Sequence, residues 1–202
     1  MKHLANFLSL LSEETRNAYL PRLEEFLKMD NERNWRFRLE LTEQLGSMLT
    51  LFTANDIREY LAPMATQLVQ DKVASVRSAA TSVLSTMLSQ LHSQDHPILT
   101  TSLANDIVEV LGKSPHWAKR QTYAALCGAL VTLDTSDTTS DTSDINSVTQ
   151  GSPANLLVPH LLDLTWDKVF NFYFILNRYH KTYIKYYLIQ CIFVDYFILH
   201  FC

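Results

Sequence analysis

Glycine and cysteine are scarce in this chain of 202 residues, which contains four glycines and three cysteines. The glycines are too dispersed to form the glycine-rich loops that bind nucleotide phosphates, so neither a dinucleotide fingerprint nor a P-loop can be written. The cysteines, Cys127, Cys191 and Cys202, contain no C-x-x-C pair. Such an odd, scattered set does not predict a disulfide framework, and it favours a reducing compartment, the cytoplasm or the nucleus.

Positive charge is not in excess either, because 17 Lys and Arg residues stand against 21 Asp and Glu residues. A formal net charge of −4 argues against a protein that binds nucleic acid or an anionic membrane through bulk charge. Lys185 and Asp195 interrupt the most apolar segment, and charged residues within a membrane span are costly. We therefore expect neither a nucleic-acid partner nor a membrane anchor.

The patterns typical of catalytic and metal sites are missing as well. No serine lies in a G-x-S-x-G elbow. His92 and His96 have the i, i+4 spacing of two metal ligands, but no glutamate follows His92 and no third ligand is apparent, so a solvated helix end is the favoured interpretation. The sequence predicts no catalytic residue, no cofactor and no metal, and hence a protein that is not an enzyme.

What the chain does contain is helical sequence. Residues 1–133 are rich in Leu, Ala, Gln, Glu, Arg and Met, and their apolar residues recur three and four positions apart. Residues 134–155 are dominated by Asp, Ser and Thr, which cannot bury enough apolar surface to offset the entropy of ordering, so we predict a disordered loop there. Residues 156–169 resume the helical pattern.

The helical region is repetitive. Three arginines, Arg38, Arg77 and Arg120, are separated by 39 and then 43 residues. Apolar residues follow them at fixed offsets: Leu41, Ala80 and Tyr123 at three, Leu45, Leu84 and Cys127 at seven, and Met48, Met87 and Leu130 at ten. These offsets share one helical face, which we predict to be core. The period is typical of HEAT or armadillo units, so the sequence predicts an all-α solenoid of about three repeats with a partial unit at each end.

Capping and helix-breaking residues fit these units. We expect Ser12 to cap the first helix of one repeat and Thr53 or Asn55 that of the next, and Ser114-Pro115 to supply a cap and an N1 proline for the second helix of the third repeat. Three further prolines fall in the middle of predicted helices, where each should produce a kink. They are Pro21, Pro63 and Pro159.

Two segments carry a resemblance to a known family. They are DNERNWRFRLELTEQL at 30–45 and DKVASVR at 71–77, with support from LEEFL at 23–27, YLAPMA at 60–65, WAKRQ at 117–121 and PHLLDL at 159–164. Together they resemble the HEAT-repeat scaffold subunits of protein phosphatase 2A-like enzymes, and above all the regulatory subunits of protein phosphatase 4. The resemblance covers about residues 1–169 except for the acidic loop, and it implies a C-terminal fragment of a larger HEAT-repeat subunit.

By this resemblance the chain is a scaffold or regulatory fragment that binds the catalytic subunit of a protein phosphatase 4-type enzyme and helps to place phosphoprotein substrates. Two alternatives remain open: the structural A subunit of protein phosphatase 2A, and a solenoid adaptor that carries cargo on its concave face. Related scaffolds present the edge formed by their intra-repeat turns to the catalytic subunit. The residues expected on that edge are Trp35, Arg36, Lys72, Trp117 and Lys119.

The recurring arginines receive a different interpretation. Because Arg38, Arg77 and Arg120 occupy the same place in every unit, we expect a structural role that also recurs, namely binding turn carboxylates or carbonyl groups between adjoining repeats.

The last segment, residues 170–202, departs from the repeat pattern. An arginine is expected six residues after Asp167, as Arg77 follows Asp71, but Tyr173 is found there. The segment is rich in Phe, Tyr, Ile, Asn and Lys, the bias that translated A/T-rich non-coding sequence would give. We therefore interpret it as an atypical aromatic-rich tail produced by a truncated or mispredicted gene.

Overall fold

The computed structural model describes residues 2–29, 34–136 and 152–164, and every regular element within these ranges is helical. The α-helices are α1 (Leu4–Ser9), α2 (Glu13–Asn17), α3 (Leu20–Met29), α4 (Trp35–Met48), α5 (Ala54–Asp56), α6 (Ala62–Leu68), α7 (Ala74–Ser93), α8 (Pro97–Ile107), α9 (Trp117–Ser136) and α10 (Ala154–Asp163). A 3-10 turn, Leu49–Leu51, follows α4, and two π-helical segments, Ile57–Leu61 and Val108–Gly112, follow α5 and α8.

These helices form successive repeats, each with a first (A) and a second (B) helix. In repeat 1 the A helix is α2 with α3, and α4 is the B helix. In repeat 2 the A helix runs from α5 to α6, and α7 is the B helix; in repeat 3 they are α8 with its π segment, and α9. The B helices stack in chain order, and α1 packs on α4 where a preceding B helix would lie. The predicted all-α HEAT-repeat solenoid is confirmed.

Successive units meet at three contacts, which we call joints. The first joint lies between repeats 1 and 2, and the second joint lies between repeats 2 and 3. The third joint lies between repeat 3 and α10, which packs on α8, α9 and the second π segment as the A helix of a further unit.

The core consists of the positions that recur after each arginine. All nine apolar residues at offsets three, seven and ten are at most 1% exposed, from Leu41 at 0% to Cys127 at 1%. The residues that close the preceding A helices, Leu27, Leu68 and Leu111, are buried with them. One helical face of each B helix therefore forms a continuous apolar layer through the stack, as the offsets predict.

Two of the predicted helix starts are present, and the third differs. The Ser12 side chain accepts a hydrogen bond from the Thr15 amide at 3.4 Å, which caps α2. At α5 it is Thr53, not Asn55, that forms the cap. The third expectation is wrong, because α9 begins at Trp117 and Pro115 lies before the helix. Ser114 Oγ instead accepts from the His116 amide at 3.3 Å, inside the turn.

The A-helix prolines stand at different places in their helices, and one of them follows a change in hydrogen bonding. Pro63 is the second residue of α6, directly after a π-helical segment in which the Ala62 amide bonds to the Ile57 carbonyl. Proline has no N–H and its ring meets the carbonyl of the preceding turn, so a shifted bonding pattern relieves the conflict. Pro21 is the second residue of α3, just after the interruption that separates α3 from α2, whereas Pro159 lies inside α10.

The described helices extend into the predicted acidic loop from both sides, since α9 continues to Ser136 and α10 begins at Ala154. The remainder of that loop, residues 137–151, and the predicted tail, residues 170–202, lie outside the described residues. The division of the chain into domains therefore stays a prediction. In the described part, no helix combines the length and the apolar character that a membrane crossing requires.

Removing the cap of α5 is expected to destabilise the protein. Thr53 Oγ1 accepts from the Asp56 amide at 3.2 Å, while Asp56 Oδ2 accepts from the Thr53 amide at 3.2 Å, which completes a reciprocal capping box. Thr53→Ala should lower the free energy of unfolding by about 1 kcal/mol. Urea unfolding followed by circular dichroism measures this loss. Ser12→Ala is the matched control, because Ser12 caps α2 without a reciprocal box. An equal or larger loss of unfolding free energy in that variant would contradict the stabilising role of the box.

Candidate functional site

A buried ion pair connects the first two repeats beside the turn that joins α6 to α7. Arg38 Nε donates to Asp71 Oδ2 at 2.5 Å, and Arg38 Nη2 lies 3.4 Å from Asp71 Oδ1. The side chains of Arg38 and Asp71 are only 9% and 8% exposed. Arg38 belongs to the B helix of repeat 1 and Asp71 to the turn of repeat 2, so the pair crosses the first joint.

The same aspartate organises its own turn. Asp71 Oδ1 accepts from the Val73 amide at 2.7 Å, two residues further along the chain. Arg77, in the following helix, donates from Nη1 to the carbonyl oxygens of Asp71 and Lys72, both at 2.9 Å. The turn is thereby held by its own repeat through Arg77 and by the preceding repeat through Arg38.

The third arginine repeats part of this arrangement. Arg120 Nη1 donates to the Ser114 carbonyl at 2.8 Å, and Ser114 stands six residues before Arg120 just as Asp71 stands six residues before Arg77. Among the contacts described for the three arginines, Arg38 bonds across a joint, whereas Arg77 and Arg120 bond to carbonyl groups of their own turns. That these arginines have a recurring structural role stays a prediction.

The remaining predicted residues lie in the turn of repeat 2 or in the first turns of α4 and α9, and we call Trp35, Arg36, Lys72, Trp117 and Lys119 the turn ridge. Trp35 is half-buried and Arg36 is exposed at the beginning of α4. The Arg36 guanidinium lies over the Trp35 ring, 4.7 Å from its centre, which is a cation–π contact. This contact arranges a flat aromatic surface and a cation side by side at the protein surface.

Further along the ridge, Lys72 is exposed in the turn that Asp71 and Arg77 hold in place. Trp117, the first residue of α9, leaves 54% of its surface exposed. An indole that accessible is unusual, because tryptophan is highly buried on average. Trp117 is therefore the most conspicuous aromatic candidate for an intermolecular contact on the described ridge.

Lys119 differs from its neighbours on the ridge. It is half-buried, and its ammonium group donates to Gln70 Oε1 at 2.7 Å. The Gln70 side chain is itself held in place, because its Nε2 donates to the Thr66 carbonyl at 2.8 Å. Lys119 thus links the turn of repeat 2 to the B helix of repeat 3 across the second joint, and part of its bonding capacity is already used.

In the described residues, no three His, Cys, Asp or Glu side chains lie close enough together to hold a metal ion. Cys127 is buried in α9, and burial raises the pKa of its thiol to about 12, so it is protonated at neutral pH. Burial likewise raises the pKa of Tyr123, whose hydroxyl donates to the Leu157 carbonyl of α10 at 2.7 Å.

A second surface feature is an open groove of about 380 Å³ between the A helices of repeats 2 and 3, and it extends to Gln70, which bonds Lys119 of the ridge. Polar and charged residues predominate among those that line it, and Arg58 and Asp106 face each other there with Nη2 and Oδ2 2.5 Å apart. Arg58 Nη2 also donates to Ser102 Oγ at 2.8 Å. These contacts join the two A helices across the second joint.

Several of the contacts that define this site were not foreseen from the sequence. Gln70 and its bond to Lys119 have no counterpart at matching positions in the other repeats, so no periodic signal points to them. The bond from Tyr123 to the Leu157 carbonyl is equally hidden, because a backbone acceptor leaves no trace in the sequence. An ion pair like Arg38–Asp71 could be expected from the sequence, since an arginine recurring in every repeat is suited to binding a turn carboxylate of the adjoining repeat.

Comparison with known proteins connects this architecture to one group of relatives. Over 171 residues, 85% of the chain, the sequence is 39% identical to serine/threonine-protein phosphatase 4 regulatory subunit 1 of Homo sapiens and to that of Mus musculus. The protein of the same name from Rattus norvegicus is similar to the same extent. The chain spans 17% of the length of these relatives. No family model and no solved structure matches. The resemblance predicted from the repeat sequences is confirmed.

Proposed function

We propose that this chain is a non-catalytic regulatory segment of a protein phosphatase 4-type assembly and that its turn ridge binds the phosphatase catalytic subunit. The observation that carries the proposal is the similarity to regulatory subunit 1 over 85% of the chain. The repeat architecture supports it, because a stack of helix pairs offers an extended surface on which other proteins can be arranged.

The composition of the ridge supports the choice of surface. Tryptophan and arginine dominate the energetics of protein interfaces, and Trp117 and Arg36 are both exposed there. Lys72 and Arg36 add positive charge to a chain that is negative overall, which favours a partner with an acidic surface at this edge. Arg38 and Asp71 hold the turn of repeat 2 between them, so Lys72 is presented by a fixed backbone rather than by a loose loop.

The proposal predicts a specific loss of binding. Replacing Arg36 and Lys72 together by Glu should weaken capture of a purified protein phosphatase 4 catalytic subunit, because both exposed cations change sign. Capture by the unaltered protein should also decrease as salt is raised, since screening weakens charge steering. A pull-down with a thermal melt of each variant measures both properties, and the melting temperature should change little because neither side chain is in the core.

The matched control reverses two exposed cations away from the ridge, Lys2 and Arg22, and produces the same change in net charge. Capture by this control should be retained. A folded Arg36/Lys72 double variant that still captures the catalytic subunit would place the interface elsewhere. Failure of the unaltered chain to capture it would refute the proposed function, and capture of a protein phosphatase 2A catalytic subunit instead would favour the structural A subunit alternative.

A further inference from the structure

The first and second joints differ at one equivalent position. Measured from the arginine of each B helix, Asp71 and Ser114 stand at the same offset, six residues before Arg77 and Arg120. Each side chain accepts a hydrogen bond from the amide two residues later, Asp71 from Val73 at 2.7 Å and Ser114 from His116 at 3.3 Å. Serine therefore replaces aspartate in forming the turn, but it supplies no carboxylate.

The arginine of the preceding repeat has different described partners at the two joints. At the first joint, Arg38 reaches forward to Asp71 and forms the buried ion pair that closes the joint. At the second joint, the residue equivalent to Arg38 is Arg77, and the residue equivalent to Asp71 is Ser114. The contacts described for Arg77 lead back to its own turn, to the carbonyl groups of Asp71 and Lys72.

Other polar contacts do cross the second joint, but they are more accessible to water. Lys119 and Gln70 meet at the ridge, and both are only half-buried. The Arg58–Asp106 pair joins the A helices, and its side chains are 23% and 50% exposed. Accessible pairs of this kind contribute little to stability, whereas a buried pair with one partner removed is costly. Among the contacts described, the turn edge of the second joint thus has no equivalent of the buried Arg38–Asp71 ion pair at the first.

We infer that the solenoid bends at the second joint, opening and closing along the turn edge while the apolar contact between α7 and α9 is maintained. Packed helices can move slightly against each other without losing such an apolar contact, which permits this motion. Trp35, Arg36 and Lys72 lie on one side of this joint, and Trp117 lies on the other. The bending therefore sets the distance between the two aromatic ends of the turn ridge, whatever partner the ridge binds.

Two pairs of nitroxide labels in the full chain test this inference. One pair, at Glu43 and Ser82, spans the first joint, and the other, at Ser82 and Ala125, spans the second. Glu43 and Ser82 are exposed and Ala125 is half-buried, and all three stand five residues after the arginines of their helices. Cys191 and Cys202 are replaced by Ser so that they do not react, and the buried Cys127 is retained. Continuous-wave EPR of frozen samples gives the spread of distances for each pair.

In the unaltered chain, the distances between the two labels should be spread more broadly across the second joint than across the first. Ser114→Asp should narrow the second-joint spread, because it restores a carboxylate within reach of Arg77 and can keep the turn bond to the His116 amide. Ser114→Asn is the matched control, since it can keep the turn bond without the charge and should leave the spread broad. Equal spreads in the unaltered chain would overturn the inference, and so would an unchanged spread in the aspartate variant or equal narrowing by both variants.

Discussion

Asp71→Ala should lower the free energy of unfolding by about 3–5 kcal/mol, because it removes one partner of the buried Arg38–Asp71 ion pair. The Arg38 side chain is only 9% exposed, so water cannot fully replace the carboxylate. The variant also removes the acceptor of the Val73 amide and loosens the turn that Arg77 binds. For a chain of this size the melting temperature should decrease by roughly 10 °C. Differential scanning calorimetry measures this directly.

A second variant separates the ion pair from the turn. Asp71→Asn can keep the acceptor for the Val73 amide while removing the charge that faces Arg38. Its free energy of unfolding should fall between that of the unaltered protein and that of the alanine variant. Adding Arg38→Met to Asp71→Ala should recover part of the loss, since the buried cation that faced Asp71 is then replaced by an apolar side chain. A double variant that is as unstable as the sum of its single changes would show that the two side chains act independently.

The fold was largely predictable because its determinants are periodic. A B helix must bury one face between its neighbours, so Leu45, Leu84 and Cys127 repeat at one offset, and all three are buried. The Thr53 cap was predictable because an N-cap needs a side-chain acceptor at the first turn. The start of α9 was not, because Ser114 bonds within the turn and leaves Pro115 outside the helix.

The site was less predictable because its contacts depend on the distance between repeats and not on the pattern within one. The sequence indicates that Arg36, Lys72 and Trp117 belong to one edge, and the structure places all three at its exposed turns and helix starts. The sequence does not indicate that Lys119 bonds to Gln70 across the second joint. The sequence predicts a kink at Pro63 but neither of the two π segments, and no proline accompanies the segment at Val108–Gly112. Its last residue, Gly112, lies under the Tyr123 ring, where an added Cβ would stand 3.4 Å away.

The largest effect of a single substitution is expected in the middle of the stack. Leu84 is 0% exposed in α7, the helix that packs against both α4 and α9. Leu84→Asp should cost several kcal/mol, because it places a carboxylate without a counter-ion in an apolar layer shared by all three repeats. Since each repeat is stabilised mainly by its neighbours, losing the middle layer should weaken both joints together. Thermal melts followed by circular dichroism should show a much lower transition temperature or no cooperative transition.

Two controls make this result specific to the predicted core face. Ser82→Asp introduces the same carboxylate two residues earlier on α7, where the side chain is exposed, and should be nearly neutral. Thr139→Asp, in the acidic segment outside the described residues, should also be nearly neutral if that segment carries no core contacts. Equal melting temperatures for the Leu84 and Ser82 variants would mean that the offset-seven position does not carry the core. A large loss from Ser82→Asp alone would instead indicate that the exposed face of α7 is covered by another part of the chain.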